Sequence, residues 1–282
     1  PASAASQTPV ALSPFLVEED AAQGYYASQT LAGGRMKQDL KDLATSIQVV
    51  TKEFMEDLSV TGIEELFQYT TSTEVGGILG NYTGAGDNFG GETSTGGARR
   101  NPDGTTRVRG LSAPDRARNF FKTDIPFDAY NTDRIDIQRG ANSFLFGLGS
   151  PSGLTNTGMA RATFRNLNEI STRIGSGNSD TPTYRGSFKL NRVLVKDLLA
   201  VHVAGLADRT KYRQEPTYKN DTRQYGALTL RPFKHQDTVI TAHVEVGRIR
   251  GNAADVLLPQ ENLTTFLHDP VVGRKSFNAW AN

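Results

Sequence analysis

Ile135-Asp136-Ile137-Gln138-Arg139-Gly140-Ala141-Asn142-Ser143-Phe144-Leu145-Phe146-Gly147, continuing through Gly149-Ser150-Pro151-Ser152-Gly153-Leu154-Thr155-Asn156, is the stretch on which the fold turns. Arg134 to Arg139 alternates with period two, which predicts a strand. Gly140 and Gly147 bracket a tight turn, and Gly149 and Gly153 permit backbone conformations closed to residues with a Cβ. A second alternating run, Thr106 to Gly110, ends in the same Arg-Gly pair. Arg109 and Arg139 therefore each stand at a strand end before glycine, where a guanidinium can pair with carboxylates on a facing wall, bond neighbouring carbonyls, or lie plainly on the surface.

Upstream, Ile47-Gln48-Val49-Val50 reads as a short β-branched strand, and Thr51 is placed to cap a helical turn through Met55. Thr61 with Glu64 forms a capping-box pattern that predicts a short amphipathic helix over 62–70, carrying Ile63, Leu66 and Phe67. Gly76 to Gly104 is rich in Gly, Asn and Thr, a composition of exposed loops. Residues 1–24 are rich in Ala, Ser, Pro and Gln and read as a flexible leader with one apolar island, Val10-Ala11-Leu12-Ser13-Pro14-Phe15. The small residues at the start fit a mature, cleaved end. Residues 25–160 thus read as a small domain of mixed helix and strand.

Downstream of about Ala160 helix signals vanish and alternating segments separated by polar turns take over. Tyr184, Gly186, Phe188 and Leu190 share one face while Arg185, Ser187, Lys189 and Asn191 share the other. Ile240, Ala242, Val244 and Val246 lie opposite Thr241, His243 and Glu245, and Leu228 and Leu230 lie opposite Thr229 and Arg231. Leu198 to Asp208 is the least clean. Alternation alone favours a soluble β-sandwich. Segments of about 10 residues with one apolar face also suit a membrane barrel with lipid outside and water inside. Short connections are predicted at Asn191–Asp197 and Phe233–Asp237 and longer ones at Lys211–Asp221 and after Gly251, an asymmetry that such barrels show.

The stretch from Ile135 to Asn156 resembles the plug signature of TonB-dependent receptors: a strand ending in Arg-Gly-Pro, a turn ending in Tyr-Gly, a Gly-rich turn, then a strand beginning near Asn. Ala141 stands where Pro is usual and Phe146 where Tyr is usual. Ser46 to Phe54 resembles the plug's opening strand, Val108-Arg109-Gly110 its central Arg-Gly strand, and Val10 to Phe15 sits where the family keeps its TonB box. The resemblance implies an α+β plug domain followed by the first antiparallel strands of a 22-stranded transmembrane barrel in a Gram-negative outer membrane. It assigns Arg109, Gly110, Arg139, Gly140, Gly147, Gly149, Gly153 and Asn156 to the plug signature. It assigns Val10, Ala11, Leu12, Ser13, Pro14 and Phe15 to TonB contact. Tyr82, Asn88, Phe89, Phe120 and Phe121 are candidate solute contacts, on loops expected to face the exterior. Residues 161–282 leave room for about five strands at ~10 residues each, so the chain is expected to be truncated. The implied function is energy-coupled uptake of a scarce solute such as a siderophore, cobalamin or a saccharide. The implied partners are TonB, outer-membrane lipid and the solute, with a monomeric barrel and a surface lipoprotein as an allowed accessory.

Composition narrows the rivals. Lys plus Arg number 31 against 30 Asp plus Glu, so the overall balance offers no strong field of one sign to attract nucleic acid or anionic lipid. Cysteine is absent, which excludes disulfides, thiolate nucleophiles and Cys-based zinc sites. The four histidines lack metal-ligand spacing, and no glycine run completes a nucleotide-binding pattern, so neither a metal nor a cofactor is expected. Asp124, Asp128, Asp133 and Asp136 lack the Gly and terminal Glu of a calcium loop and read as a solvated loop. No nucleophile motif is present, which argues against an enzyme. The alternative from another class is a secreted or surface ligand-binding module joining an α/β domain to a β-sandwich.

Overall fold

The computed structural model describes residues 22–33, 36–75, 106–140, 150–176, 182–211, 217–233 and 238–252. The chain begins with two small hairpins: β1 (Ala22–Gln23) pairs with β2 (Tyr26–Ala27), and β3 (Gln29–Thr30) with β4 (Gln38–Asp39). β5 (Ile47–Thr51) then passes directly into α1 (Lys52–Asp57). Thr51 makes this step, its Oγ1 accepting the Phe54 N–H at 3.3 Å and so satisfying one orphan donor of the first turn.

The second helix departs from expectation. α2 covers Ile63–Phe67 and has Gly62 at its N-cap, one residue later than the sequence pattern suggested. The third helical position is therefore Glu65 rather than Glu64. Its Oε2 accepts from both the backbone N and Oγ1 of Thr61, at 2.6 and 2.9 Å.

β6 (Thr73–Val75) pairs with β7 (Thr106–Val108), and four more strands follow: β8 (Asp115–Arg118), β9 (Phe121–Lys122), β10 (Thr132–Arg139) and β11 (Gly153–Met159). They build a five-stranded sheet in the order β5-β10-β11-β8-β9, antiparallel except for the β11–β8 pair. One face of this sheet carries Val50, Ile135 and Ile137 onto Met55, Val60, Ile63, Leu66 and Phe67, the core of the domain. The other face is polar at its centre. Asp136, only 3% exposed, accepts from Thr30 Oγ1 at 3.0 Å, Arg134 Nη2 at 2.6 Å and Asn156 Nδ2 at 3.3 Å. A buried carboxylate is tolerable when its lone pairs are filled in this way. The solvated reading of Asp136 is thereby corrected.

Two signature glycines are required by geometry. Gly140 and Gly153 have φ of +91° and +105°, and a Cβ on Gly153 would collide with the carbonyl oxygen of Gln138 across the β10–β11 ladder.

The second half forms one meander sheet of β12 (Leu167–Ser176), β13 (Pro182–Val195), β14 (Leu199–Lys211), β15 (Tyr218–Leu230) and β16 (Ile240–Asn252), each antiparallel to the next. The alternating faces lie as their sequence suggests. Arg185 and Lys189 point at the first domain, whereas Tyr184, Phe188 and Leu190 are exposed on the other side. β14 reads less cleanly because its inward face is also apolar: Ala200, Ala204 and Leu206 are buried where the sheet closes on the first domain.

Between described strands, one end of the sheet has connections of 196–198 and 231–239 and the other 177–181 and 212–217, so the expected short connection at 191–197 is shorter and the expected long one at 211–221 is also shorter, β13 and β15 continuing into both stretches. The stretch after Gly251, expected to be long, lies outside the described residues beyond Asn252. Polar residues such as Asn191 and Asp221 do not break these strands, since each strand has an inward face on which a polar side chain is accommodated. Among the described residues no helix is long and apolar enough to cross a membrane.

Candidate functional site: the turn of Arg139 and the interface with the wall

The Arg-Gly turn is built from three sequence-distant pieces. β10 ends at Arg139, whose side chain is buried and whose Nη2 donates to the Thr71 carbonyl at 2.6 Å, to Thr71 Oγ1 at 3.1 Å and to Gln48 Oε1 at 2.5 Å. Burial, with the neighbouring positive charge of Arg109, pulls the Arg139 guanidinium below its usual range. Of the pairings open to Arg139, the structure therefore selects neighbouring carbonyls. Arg109 is exposed, in the left-handed region at φ 57°, with its N–H donated to the Ser72 carbonyl at 2.9 Å. Asn156, the last signature residue, accepts the Phe120 N–H at 2.6 Å while it donates to Asp136. Gly110 also has a positive φ, of 68°. Gly147 and Gly149 lie outside the described residues, as do Val10, Ala11, Leu12, Ser13, Pro14 and Phe15 and the loop residues Tyr82, Asn88 and Phe89.

Phe120 and Phe121 are separated by the structure. Asn119 and Phe120 both have positive φ, 47° and 67°, and form the two-residue turn between β8 and β9. Phe120 packs against Ala117 and Leu154, while Phe121 is 80% exposed. Asn119 Oδ1 accepts the Met159 N–H at 3.1 Å, which puts this turn beside the end of β11, where the chain leaves for β12. The residues after it, Pro126 and Asp128, face the large sheet instead of solvent.

That contact is an array of ion pairs across an apolar centre. Asp128, 6% exposed, receives both terminal nitrogens of Arg185 at 2.6 and 3.0 Å and the Tyr130 N–H at 2.9 Å. This buried, paired state corrects the solvated reading of Asp128. Arg185 also reaches Asp208 at 3.0 Å. Glu245 on β16 pairs with Arg118 and accepts from Tyr130 Oη at 2.7 Å. Burial, then the hydrogen bond to Glu245, raises the Tyr130 phenol well above its usual range. Arg223 is held by Asp221 at 2.6 and 2.8 Å and donates to the Pro126 carbonyl at 2.8 Å. Lys189 bridges Glu56 of α1 and Glu169 of β12 at 3.0 and 2.9 Å, and Lys52 meets the same two carboxylates at 3.3 Å. Arg173 bonds the Ser59 carbonyl. Between these clusters Tyr130, Met159 and Ala160 pack on Ala204, Leu206, Tyr225 and Ala227, and Tyr225 Oη donates to the Ala160 carbonyl at 2.6 Å. His243, expected on the inward face, lies there with Nδ1 2.8 Å from Tyr225 Oη. Sequence reasoning passed over Tyr130 and Arg223, read Asp128 as solvated, and placed Arg185 and Glu245 on a strand face without a partner. The available signal was parity, since Arg185 and Glu245 occupy the inward positions of strands whose other face is apolar.

Such an interface fixes a small mixed domain against the inner face of a long-stranded wall. Residues 39–154 match the family model described as the TonB-dependent receptor plug domain. The chain contains a TonB-dependent receptor plug domain. Consistent with this, it is 26% identical over 207 residues to the ferrichrome outer membrane transporter/phage receptor of Escherichia coli (strain K12), an alignment covering 73% of this chain and 26% of that protein. The chain thus spans about a quarter of the curated relative it matches. Solved structures share the fold, two outer-membrane receptors among them. The ferripyoverdine receptor of the outer membrane of Pseudomonas aeruginosa superposes with a TM-score of 0.61 at 16% identity, covering 78% of this chain and 27% of that one. The alcaligin outer membrane receptor of Bordetella pertussis gives 0.62 at 16% identity, covering 80% and 36%. In this frame the first domain is the plug, β12 to β16 are the opening strands of an outer-membrane barrel, and the polar array is the plug-to-wall interface.

Proposed function

We propose that this chain is part of a receptor that takes up an iron-chelating solute of the siderophore class across the outer membrane, with energy delivered through TonB. The observation that carries the reading is the plug itself, seated against the wall by Asp128–Arg185, Glu245–Arg118 and the lysine–glutamate cluster of Glu56 and Lys189. Its relatives are transport receptors, named for ferrichrome, ferripyoverdine and alcaligin. That shared vocabulary favours siderophores over cobalamin or saccharides. Residues 25–160 serve as the plug and 161–282 open the barrel, while Val10 to Phe15 supply the strand that TonB captures by edge pairing. The test is uptake: a receptor-deleted strain carrying the full-length gene should accumulate a ferric siderophore, and the same strain without TonB should not. Accumulation independent of TonB would reject the reading.

A further inference from the structure

The outward face of the wall has a charge pattern that uptake does not require. Glu245, His243, Tyr225, Arg223, Arg185 and Lys189 all meet the plug or one another on the inner face, so the alternate residues of each strand point out. By that parity every acidic residue of β12 to β16 points inward: Glu169, Asp208, Asp221 and Glu245. The outward charged residues of these strands are all cationic: Arg192, Arg209, Lys211, Arg248 and Arg250.

Four of these five gather at one end. Arg209 is in register with Asn220 and Asn220 with Arg250, so the two arginines stand two strands apart, about 10 Å. Arg248 lies two residues from Arg250, and Lys211 two from Arg209, on the same faces. All four are exposed. Beneath them runs an apolar band of Ile170, Phe188, Leu190, Val203, Val244 and Val246, each exposed on the outward face. Tyr184, directly opposite Arg209, and Tyr218, directly opposite Lys211, mark its upper edge with exposed aromatic rings. Aromatic rings at the rim of an apolar band locate the level of lipid headgroups. This rim is at the end of the wall away from the point where β11 passes the chain to β12.

We propose that Arg209, Lys211, Arg248 and Arg250 form a collar that binds the phosphate groups of an anionic lipid in the leaflet at that end of the wall. The four cations face headgroup level, no carboxylate of the described strands shares their outward face, and three are arginines, whose planar fork matches phosphate oxygens in pairs. The proposal rests on the wall facing lipid, as the proposed function requires.

The test uses the full-length receptor in neutral detergent, with bound lipid counted by native mass spectrometry as dilauroyl phosphatidylglycerol or phosphatidylcholine is added. Wild type should prefer phosphatidylglycerol by about tenfold or more, a preference that a variant carrying Arg209→Gln, Lys211→Gln, Arg248→Gln and Arg250→Gln loses and Arg192→Gln keeps. Equal retention of the two lipids by wild type, or an unchanged preference in the fourfold variant, overturns the proposal. So does full displacement by millimolar inorganic phosphate, which would mark a free-phosphate site. Should the fourfold variant fail to assemble, wild type decides alone: phosphatidylglycerol held undiminished in 1 M salt, where the screening length is only about 3 Å, overturns it. Heat-modifiable gel migration of the same sample reports separately whether the wall is a barrel.

Discussion

Arg185 of the wall grips Asp128 of the plug with both terminal nitrogens, at 2.6 and 3.0 Å, and both side chains are almost withdrawn from water. An ion pair so placed contributes little when compared with an apolar replacement of both partners, but leaving one partner alone is costly. Arg185→Gln in the full-length receptor should therefore lower stability by about 3 kcal/mol or more, with Asp128→Asn added on top recovering part of the loss. Thermal unfolding of the two single variants and the double variant measures the coupling. Additive losses would mean that the two side chains are neighbours without being partners.

Tyr130 gives the interface an alkaline limit. Its phenol is raised above the ordinary value of 10.0 by burial and by donation to Glu245. A raised folded-state pKa means that the stabilisation is complete below the unfolded value and is lost as pH climbs above it. Wild type should lose stability from about pH 10 upward more steeply than Tyr130→Phe, which has no proton to lose. Parallel alkaline unfolding curves would show that this phenol ionises equally in both states.

The boundary of the plug can be tested from Thr30, whose hydroxyl donates to buried Asp136 at 3.0 Å across 106 residues of sequence. A segment of 22–160 should fold in water with dispersed amide signals. A segment of 45–160 should be weaker by about 1 to 3 kcal/mol, since Asp136 then loses a donor and its cover. Urea midpoints of the two segments compare them directly, and equal midpoints would put the plug's start after Thr30.

Gly153→Ala sets a Cβ against the Gln138 carbonyl oxygen at a φ of +105°. The β10–β11 ladder must shift, and a loss of more than about 2 kcal/mol is expected in the 22–160 segment. Gly62→Ala meets nothing within 4 Å and serves as the matched control. Equal losses at the two sites would contradict the crowding at Gly153.

Coupling to TonB is expected at Val10 to Phe15. Leu12→Pro removes an N–H from an edge-pairing strand and should abolish uptake by the full-length receptor while surface binding of the solute persists. Uptake at the wild-type rate would move the TonB contact elsewhere in the leader.

Local chemistry made much of this protein readable before its structure. Thr51 capping α1, the left-handed glycines around the Arg139 turn and the period-two faces of β13, β15 and β16 depend on neighbours within a few residues, so the sequence alone determines them. The functional interface depends on nothing local. Asp128 sits in a run of aspartates that looks solvated until β13, 57 residues on, brings Arg185 across it. Glu245 is one polar residue on an alternating strand until Tyr130 and Arg118 arrive from 115 and 127 residues away. Whether a charge is bathed in water or held by a partner is a matter of what covers it, and for these residues only the docking of plug against wall decided that.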